Sequence, residues 1–495
     1  MLFLVRIIIA ATTGLGTGES YYFRGAHDIA LSYVDQPPLF FWLSHVSLKI
    51  FGINTFGLRL PDVMLFSGTS FMLYLIAKWF FSEKVGFYTV LIFNLSALYI
   101  IDGIWFQPDA PLLFFWSVGL YIMSRLFFPK APLTCKNELY LWILLGIDMG
   151  LTGLSKYHVV FFALGVLLYI ITREHRVFKN PGFYLAGVIC LIFFLPIFIW
   201  NYQHDWVSIR FQSSREFTDN FHLHFDWFFR SFLGQALWLL PWIWVPIVVE
   251  FVRSYRLGKT DNKYWFFFCM ALFPIVFFTA STLWADLSYH FHWQSVGYMI
   301  LFVPLGAMVE KRLNSPTRGR TLKWIVFSFV FAYGILFLAA VQEETGFWQS
   351  YGPKQLAEVT NPGTPKDQVI EPTMDGYDYT DLLTYFETHD LLNQPNLFVG
   401  ASHWLISGKV DWALKGKIPV RSFEEQRNYS YYFNDSNYLG QDLIFVTRDD
   451  TDKVLEDTHN YCSNLQKVDD VPITRHGRTE MVLHLYKCNN FHVSQ

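Results

Sequence analysis

Trp324-Ile-Val-Phe-Ser-Phe-Val-Phe-Ala-Tyr-Gly-Ile-Leu-Phe-Leu-Ala-Ala-Val341 carries no charged side chain. A helix needs about 20 apolar residues to cross the hydrocarbon core of a bilayer, so this stretch reads as a membrane span. Its flanks differ. Arg318, Arg320 and Lys323 precede it, whereas Gln342-Glu343-Glu344 follow it. Basic residues stay on the cytoplasmic side, so the chain is expected to leave the cytoplasm through this helix.

Working back towards the N-terminus, similar runs recur near residues 2–16, 60–77, 86–101, 110–124, 139–154, 158–172, 182–200, 231–252, 265–283 and 295–310. With 324–341 they make about eleven expected spans, and one or two more have room in the loops. The composition agrees: 53% of the 495 residues are hydrophobic and only 16% are charged, against about 25% charged in soluble domains. A net charge of −3 gives no basic field for nucleic acid. The run 2–16 has a lone Arg6 and no small-residue cleavage site, so it reads as a first span rather than a cleaved leader. It is short for a span, and the true first helix is expected to begin before Met1.

Loop charges test this layout. With the N-terminus in the cytoplasm, the inner loops hold seventeen Lys and Arg, from Lys78 and Lys84 to Arg320 and Lys323. The outer loops hold seven: Arg24, Lys49, Arg59, Lys156, Arg210, Arg215 and Arg230. The bias is that of a multi-pass membrane protein.

From Gln342 the chain turns polar. Asn361-Pro-Gly-Thr-Pro365 is turn-rich. Asn396–Gly400, Asp442–Val446 and Met481–Tyr486 read as strands, and Asp381–Thr388 as a helix. The expected division is a membrane domain over 1–341 and an extracytoplasmic α/β domain over 342–495. Cys462 and Cys488 are the only cysteines of the second part. A disulfide between them suits an oxidising compartment; a free pair is the other reading. Cys190 and Cys269 lie in spans and read as core fillers.

The outer loops gather the chemistry. Thr17-Gly-Glu-Ser-Tyr-Tyr-Phe23, Tyr33-Val-Asp-Gln-Pro-Pro-Leu39 and Gly57-Leu-Arg-Leu-Pro61 lie in the first, with helices expected at His27–Leu31 and Phe40–Phe51. Trp105-Phe-Gln-Pro-Asp-Ala-Pro-Leu112, Gly153-Leu-Ser-Lys-Tyr-His158 and Trp200-Asn-Tyr-Gln-His-Asp-Trp206 follow at later exits. A single carboxylate at a span end is usually just solvated, and a single lysine there snorkels. Convergence is the stronger signal: Glu19, Asp35, Asp109, Lys156, His204 and Arg210 all fall on one membrane face. Carboxylates beside cations suit a lipid phosphate and an acceptor that must lose a proton.

At these positions the chain resembles the bacterial GT-C glycosyltransferases. They include the lipid A aminoarabinose transferases, the RgtA/B/C/D-like galacturonosyltransferases and relatives of the protein O-mannosyltransferases. Glu19-Ser-Tyr-Tyr22, Tyr33–Leu39, Gly57–Pro61, Pro108-Asp-Ala-Pro-Leu112, Leu154-Ser-Lys-Tyr157 and Asn201–Trp206 carry the likeness, as an ordered set over most of the chain. It implies a polyprenyl-phosphate-linked sugar donor, an inverting transfer on the periplasmic face, and an acidic base in the first outer loop. That base is commonly the Asp of an Asp-Glu pair, and here the pair reads Gly18-Glu19. Glu19 takes the role, Asp35 substitutes, or the activity is altered. Asp109 matches the second family carboxylate. Asp35-Gln36-Pro37 keeps the carboxylate of a family Glu-Lys-Pro segment and loses its lysine.

The resulting expectation is a membrane glycosyltransferase acting on lipid A or another envelope glycolipid. Glu19 and Asp109 are the catalytic carboxylates. Arg59, Lys156, Arg210, Tyr21 and Gln36 contact substrate. Asp35 and His204 are ligands of a divalent metal (Mg, Mn or Zn). A protein hydroxyl is the alternative acceptor. A transporter is disfavoured, because the spans hold few ionisable residues, Asp148 being the main exception. A non-catalytic assembly protein is the remaining alternative, kept open by the missing Asp.

Overall fold

The computed structural model describes residues 2–216, 223–285, 291–346, 376–423, 427–448, 458, 460–475 and 478–493. The turn-rich segment 361–365 lies outside them. The chain divides into two compact units. The first comprises residues 1–6, 31–40 and 61–334; the second comprises 7–30, 41–60 and 335–495. The expected boundary at 341/342 thus falls just inside the second unit, which also takes in much of the first outer loop.

The first unit is helical. Among the described residues of the whole chain, five helices are long and apolar enough to cross a membrane: Thr55–Phe80, Asp109–Phe127, Cys135–Ser155, Asn262–Leu283 and Arg318–Thr345. Counting three bent pairs as one span each raises the number to eight. Eleven is not reached, for two reasons. Some apolar runs make short or interrupted helices: 86–101 breaks into Glu83–Phe93 and Ala97–Asp102, and 158–172 gives the fifteen residues Val159–Arg173. Others bend: 231–252 is split at Pro241, and its halves Phe225–Leu239 and Pro241–Leu257 meet at 109°.

Close packing of this unit rests on small residues. On the helix Cys135–Ser155, a Cβ at Gly146 would stand 2.6 Å from the Ala186 carbonyl oxygen, and one at Gly150 would stand 2.5 Å from Phe193 Cβ. The four-residue spacing puts both on one face, against the helix Pro181–Phe193. Elsewhere the helix surfaces are apolar outwards: Val326, Phe327 and Val330 on the helix Arg318–Thr345 are exposed. Lipid rather than water suits such a face.

The second unit contains a five-stranded sheet with strand order β2-β1-β3-β5-β4. Its strands are β1 (Leu397–Ala401), β2 (Val420–Ser422), β3 (Asp442–Thr447), β4 (Cys462–Arg475) and β5 (Arg478–Phe491). β1 pairs in parallel with β2 and β3, whereas β5 runs antiparallel to both β3 and β4. Both faces are covered, and the alternation of strand side chains divides them. Val399, Ile444, Val446, Leu483 and Leu485 pack with Leu382, Phe386, Ile406 and Val410. Phe398, Leu443, Phe445, Tyr486 and Cys488 pack on the other side with Phe433 and Phe491. The three expected strands fall within β1, β3 and β5, shifted by a residue at most at β1. The expected helix at 381–388 is Thr380–Thr388. Cys462 and Cys488 are joined in a disulfide across β4 and β5.

In the first outer loop, Leu39–Phe51 is helical as expected. The other helix is Thr17–His27, ending where His27–Leu31 was expected to begin.

Candidate active site

Two separate arrangements hold the residues singled out by the sequence. In the first unit the helix Asp109–Phe127 starts with Asp109 in its first turn and Pro111 close behind. A carboxylate there complements the helix dipole, and proline is tolerated because first-turn N–H groups have no partner to lose. The helix Cys135–Ser155 ends at Lys156, whose backbone is extended. A cation there complements the opposite end of a dipole. The two ends meet: Lys156 Nζ donates to Asp109 Oδ1 at 2.9 Å and to Oδ2 at 3.0 Å. Both side chains are buried. An ammonium has three N–H donors, and Asp109 receives the only two hydrogen bonds drawn from Lys156 among the described residues.

Lys156 also lines a cavity of about 300 Å³. Gln36, Ser208 and Gln212 share its polar side, and Phe161, Phe277, Phe278 and Trp293 form an aromatic wall. Gln212 Nε2 donates to the Asp35 carbonyl at 2.7 Å, and Ser208 Oγ donates to the Tyr33 carbonyl at 2.7 Å. These bonds fix the segment that carries Asp35 and Gln36. Asp35 is itself buried. Tyr157, His158 and Gln212 were not picked out by the sequence reading, although Tyr157 and His158 stand in a stretch quoted for Lys156.

Arg210 and His204 do not line this cavity. Asp205 and Trp206 adopt positive φ angles of 52° and 59°, which turns the chain between two helices. Arg210 is exposed and donates to the Asp205 carbonyl. His204 Nδ1 lies 2.7 Å from the Trp200 carbonyl, and the ring stacks on Trp200 at 4.2 Å. Among the described residues no three His, Cys, Asp or Glu side chains gather as metal ligands. Asp35 and His204 belong to no such group there.

The second arrangement lies in the second unit. Arg59 Nε donates to Glu19 Oε1 at 2.7 Å, and Nη2 donates to Oε2 at 2.6 Å. The same guanidinium reaches the carbonyls of Thr13 at 2.9 Å and Gly14 at 2.6 Å. Glu19 Oε2 also accepts from the Gly16 N–H at 3.0 Å, capping the helix Thr17–His27. Glu343 accepts from the Gly14 N–H at 2.8 Å. The 84° bend between the helices Leu2–Thr12 and Thr17–His27 is thus held by a buried, bidentate ion pair. A Cβ at Gly18 would meet nothing within 4 Å among the described residues. Tyr21 accepts from Asn428 Nδ2 at 2.8 Å and packs edge-on against Trp404 at 4.7 Å.

Asp411 is fully buried in the same unit, 3.5 Å from Arg24. Burial pushes its carboxyl up to about 6 from 3.8, with Arg24 and His27 opposing the rise. A carboxyl raised on folding stabilises the fold when protonated, so stability is expected to fall as the pH climbs from about 4 to about 6. The Asp411→Asn protein should lose this component, worth about 3 kcal/mol, and gain relative to the parent at pH 7. Unfolding curves of both proteins at pH 4.5 and pH 7 measure the difference. Arg24 keeps Asp28 as a partner at 2.7 Å in the variant.

The described architecture is that of a multi-pass helical membrane protein with a C-terminal sheet domain. Residues 35–200 match the family model described as dolichyl-phosphate-mannose-protein mannosyltransferase. The chain is 23% identical over 246 residues to the lipid A galacturonosyltransferase RgtD of Rhizobium johnstonii, covering 50% of each protein. It is 25% identical over 267 residues to the undecaprenyl phosphate-alpha-4-amino-4-deoxy-L-arabinose arabinosyl transferase of Photorhabdus laumondii, covering 50% of this chain and 46% of that one. The chain spans about half the length of these curated relatives. Its fold is similar to that of ArnT from Cupriavidus metallidurans bound to undecaprenyl phosphate, with a TM-score of 0.66 at 13% identity over 98% of this chain and 96% of that one. The likeness to ArnT extends over nearly the whole of both chains and is one of fold.

Proposed function

We propose that this protein transfers a sugar from a polyprenyl-phosphate donor to an envelope acceptor, lipid A or another glycolipid, on the periplasmic face and with inversion. The observation that carries the proposal is the cavity of the first unit, where a buried lysine stands on the polar side of an aromatic-walled space. A lipid phosphate has the same two halves, an anionic head and an apolar tail. The tail suits Phe161, Phe277 and Phe278; the head suits the remaining N–H of Lys156. The disulfide suits an oxidising compartment for the C-terminal region, and the relatives named above act on or with lipid-linked sugars by their names.

In the proposed mechanism the acceptor hydroxyl attacks the anomeric carbon as the bond to the phosphate oxygen breaks. The departing phosphate gains negative charge, and Lys156 stabilises it. Asp109 holds that ammonium in place. Asp35, next to the cavity-lining Gln36, takes the acceptor proton. Glu19 and Arg59, first assigned to the chemistry, are given a structural role, because each occupies the other and the adjoining backbone.

The test is mass spectrometry of envelope glycolipids from cells with the gene, without it, and with Asp35→Asn. A sugar-sized mass lost on deletion, with the variant's transfer rate lowered about 10²–10⁴-fold, supports both transfer and base. Full transfer by a well-folded Asp35→Asn protein removes Asp35 from the role. The family-model match favours a second reading, a protein hydroxyl as acceptor; unchanged glycolipids together with a glycoprotein lost on deletion would select it.

A further inference from the structure

His158 stands two residues beyond Lys156 and lines the same cavity. It occupies the N-cap position of the helix Val159–Arg173, yet its side chain makes no capping bond. The imidazole stacks on Phe278 with centroids 4.6 Å apart. Trp293 meets it edge-on at 5.9 Å, and Phe161 does so at 6.3 Å. The ring is only 7% exposed, and its Nε2 is buried with no hydrogen-bond partner among the described residues.

A histidine in a purely packing role gains nothing over phenylalanine in such surroundings. Its unpaired nitrogen costs stability, because a buried polar atom without a partner loses its bond to water and recovers nothing. Three aromatic neighbours hold the ring orientation in advance, which is the condition for a group that acts on a ligand without rearranging. The neighbouring cation identifies the ligand chemistry. A hydrogen-bond donor close to an ammonium suits an anion with several acceptor oxygens, and a phosphate has them.

We propose that His158 is a second phosphate-binding residue, donating an imidazole N–H to an oxygen of the lipid-linked phosphate whose charge Lys156 balances. The assignment rests on the donor-binding reading of the cavity given above. A neutral imidazole serves, since the donor needs only one N–H. Lys156 supplies charge, and His158 supplies direction, fixing which oxygen faces the aromatic wall. The apolar ring surfaces around it admit the first isoprene units beside the head.

The full-length protein in lipid nanodiscs, titrated with undecaprenyl phosphate and separately with undecaprenol, tests this. His158→Phe keeps the ring and its stacking while removing both nitrogens, so the fold is preserved and unchanged thermal unfolding verifies it. Binding of undecaprenyl phosphate is expected to weaken about 10- to 100-fold, with undecaprenol unaffected. His158→Gln, which restores an N–H, should recover a large part of the loss. Unchanged phosphate binding in His158→Phe overturns the proposal, and so does an equal loss for both lipids, which marks a packing role. Lys156→Ala separates the two levels. If it weakens phosphate binding and His158→Phe does not, only the histidine assignment fails; if neither variant matters, the donor reading of the cavity fails with it.

Discussion

Sugar transfer by a Lys156→Ala protein is expected to fall by about 10²–10³-fold, the usual effect of removing one preorganised group from a site where negative charge develops. The same change strips Asp109 of its partner. A buried carboxylate left alone costs roughly 3–5 kcal/mol, so lost activity in the single variant has two explanations. The pair Lys156→Met and Asp109→Leu resolves them. Replacing a buried ion pair by apolar residues of similar volume is often neutral or stabilising, so the double variant is expected to recover stability and remain inactive. Transfer is read from labelled donor in proteoliposomes, and stability from heat-induced loss of the monodisperse peak in detergent. A double variant that regains both fold and transfer would assign Lys156 to the scaffold alone.

The second large effect concerns Glu19 and Arg59. Either alanine variant removes one member of a buried ion pair, and each is expected to lose about 3–5 kcal/mol. A double-mutant cycle should return a coupling energy at the upper end of the 0.5–3 kcal/mol range for contacting residues. The combined variant will not reach the parent, because Arg59 also serves the carbonyls of Thr13 and Gly14. The informative comparison is Glu19→Gln. If the carboxylate only pins the bend, residual transfer should track the folded fraction. A Glu19→Gln protein as stable as the parent yet slowed a hundredfold would return Glu19 to the chemistry.

Much of this architecture was legible in the residues. Val399, Ile444 and Leu483 sit in short runs rich in branched and aromatic side chains, and those runs became strands. β4 was missed because Gln466-Lys-Val-Asp-Asp470 is charged and mostly exposed, as an edge strand is and a buried one is not. The helix Trp404–Ala413 was missed for the opposite reason: Ser407, Gly408, Lys409 and Asp411 are all buried, so no apolar stripe marks its packed face. A Cβ on Gly408 would stand 2.6 Å from the Tyr21 backbone nitrogen, a close approach that no local pattern announces.

The site residues follow the same logic. Loop charges give only the expectation that Glu19, Asp109 and Lys156 share a membrane face and say nothing about partners. Glu19 joins Arg59 forty positions away, and Lys156 joins Asp109 across forty-seven; no periodicity reaches that far. His204 and Arg210 looked available because their neighbours in sequence are polar. Each instead has a local hydrogen bond, to Trp200 and Asp205 respectively, in a turn with two left-handed residues in succession. Isolated side chains tell where charge is; only the folded chain tells what has already been spent on holding it together.

The bond between Cys462 and Cys488 also makes the molecule a witness to its own itinerary. Cys135, Cys190 and Cys269 remain thiols, and Cys135 is exposed. A chain whose last strands matured among oxidants offers three alkylatable sulfurs in denaturant; one whose tail stayed with cytosolic reductants offers all five. Mass-tagging of whole cells therefore reads which side of the bilayer the C-terminal strands reached, with no reporter fused to the chain.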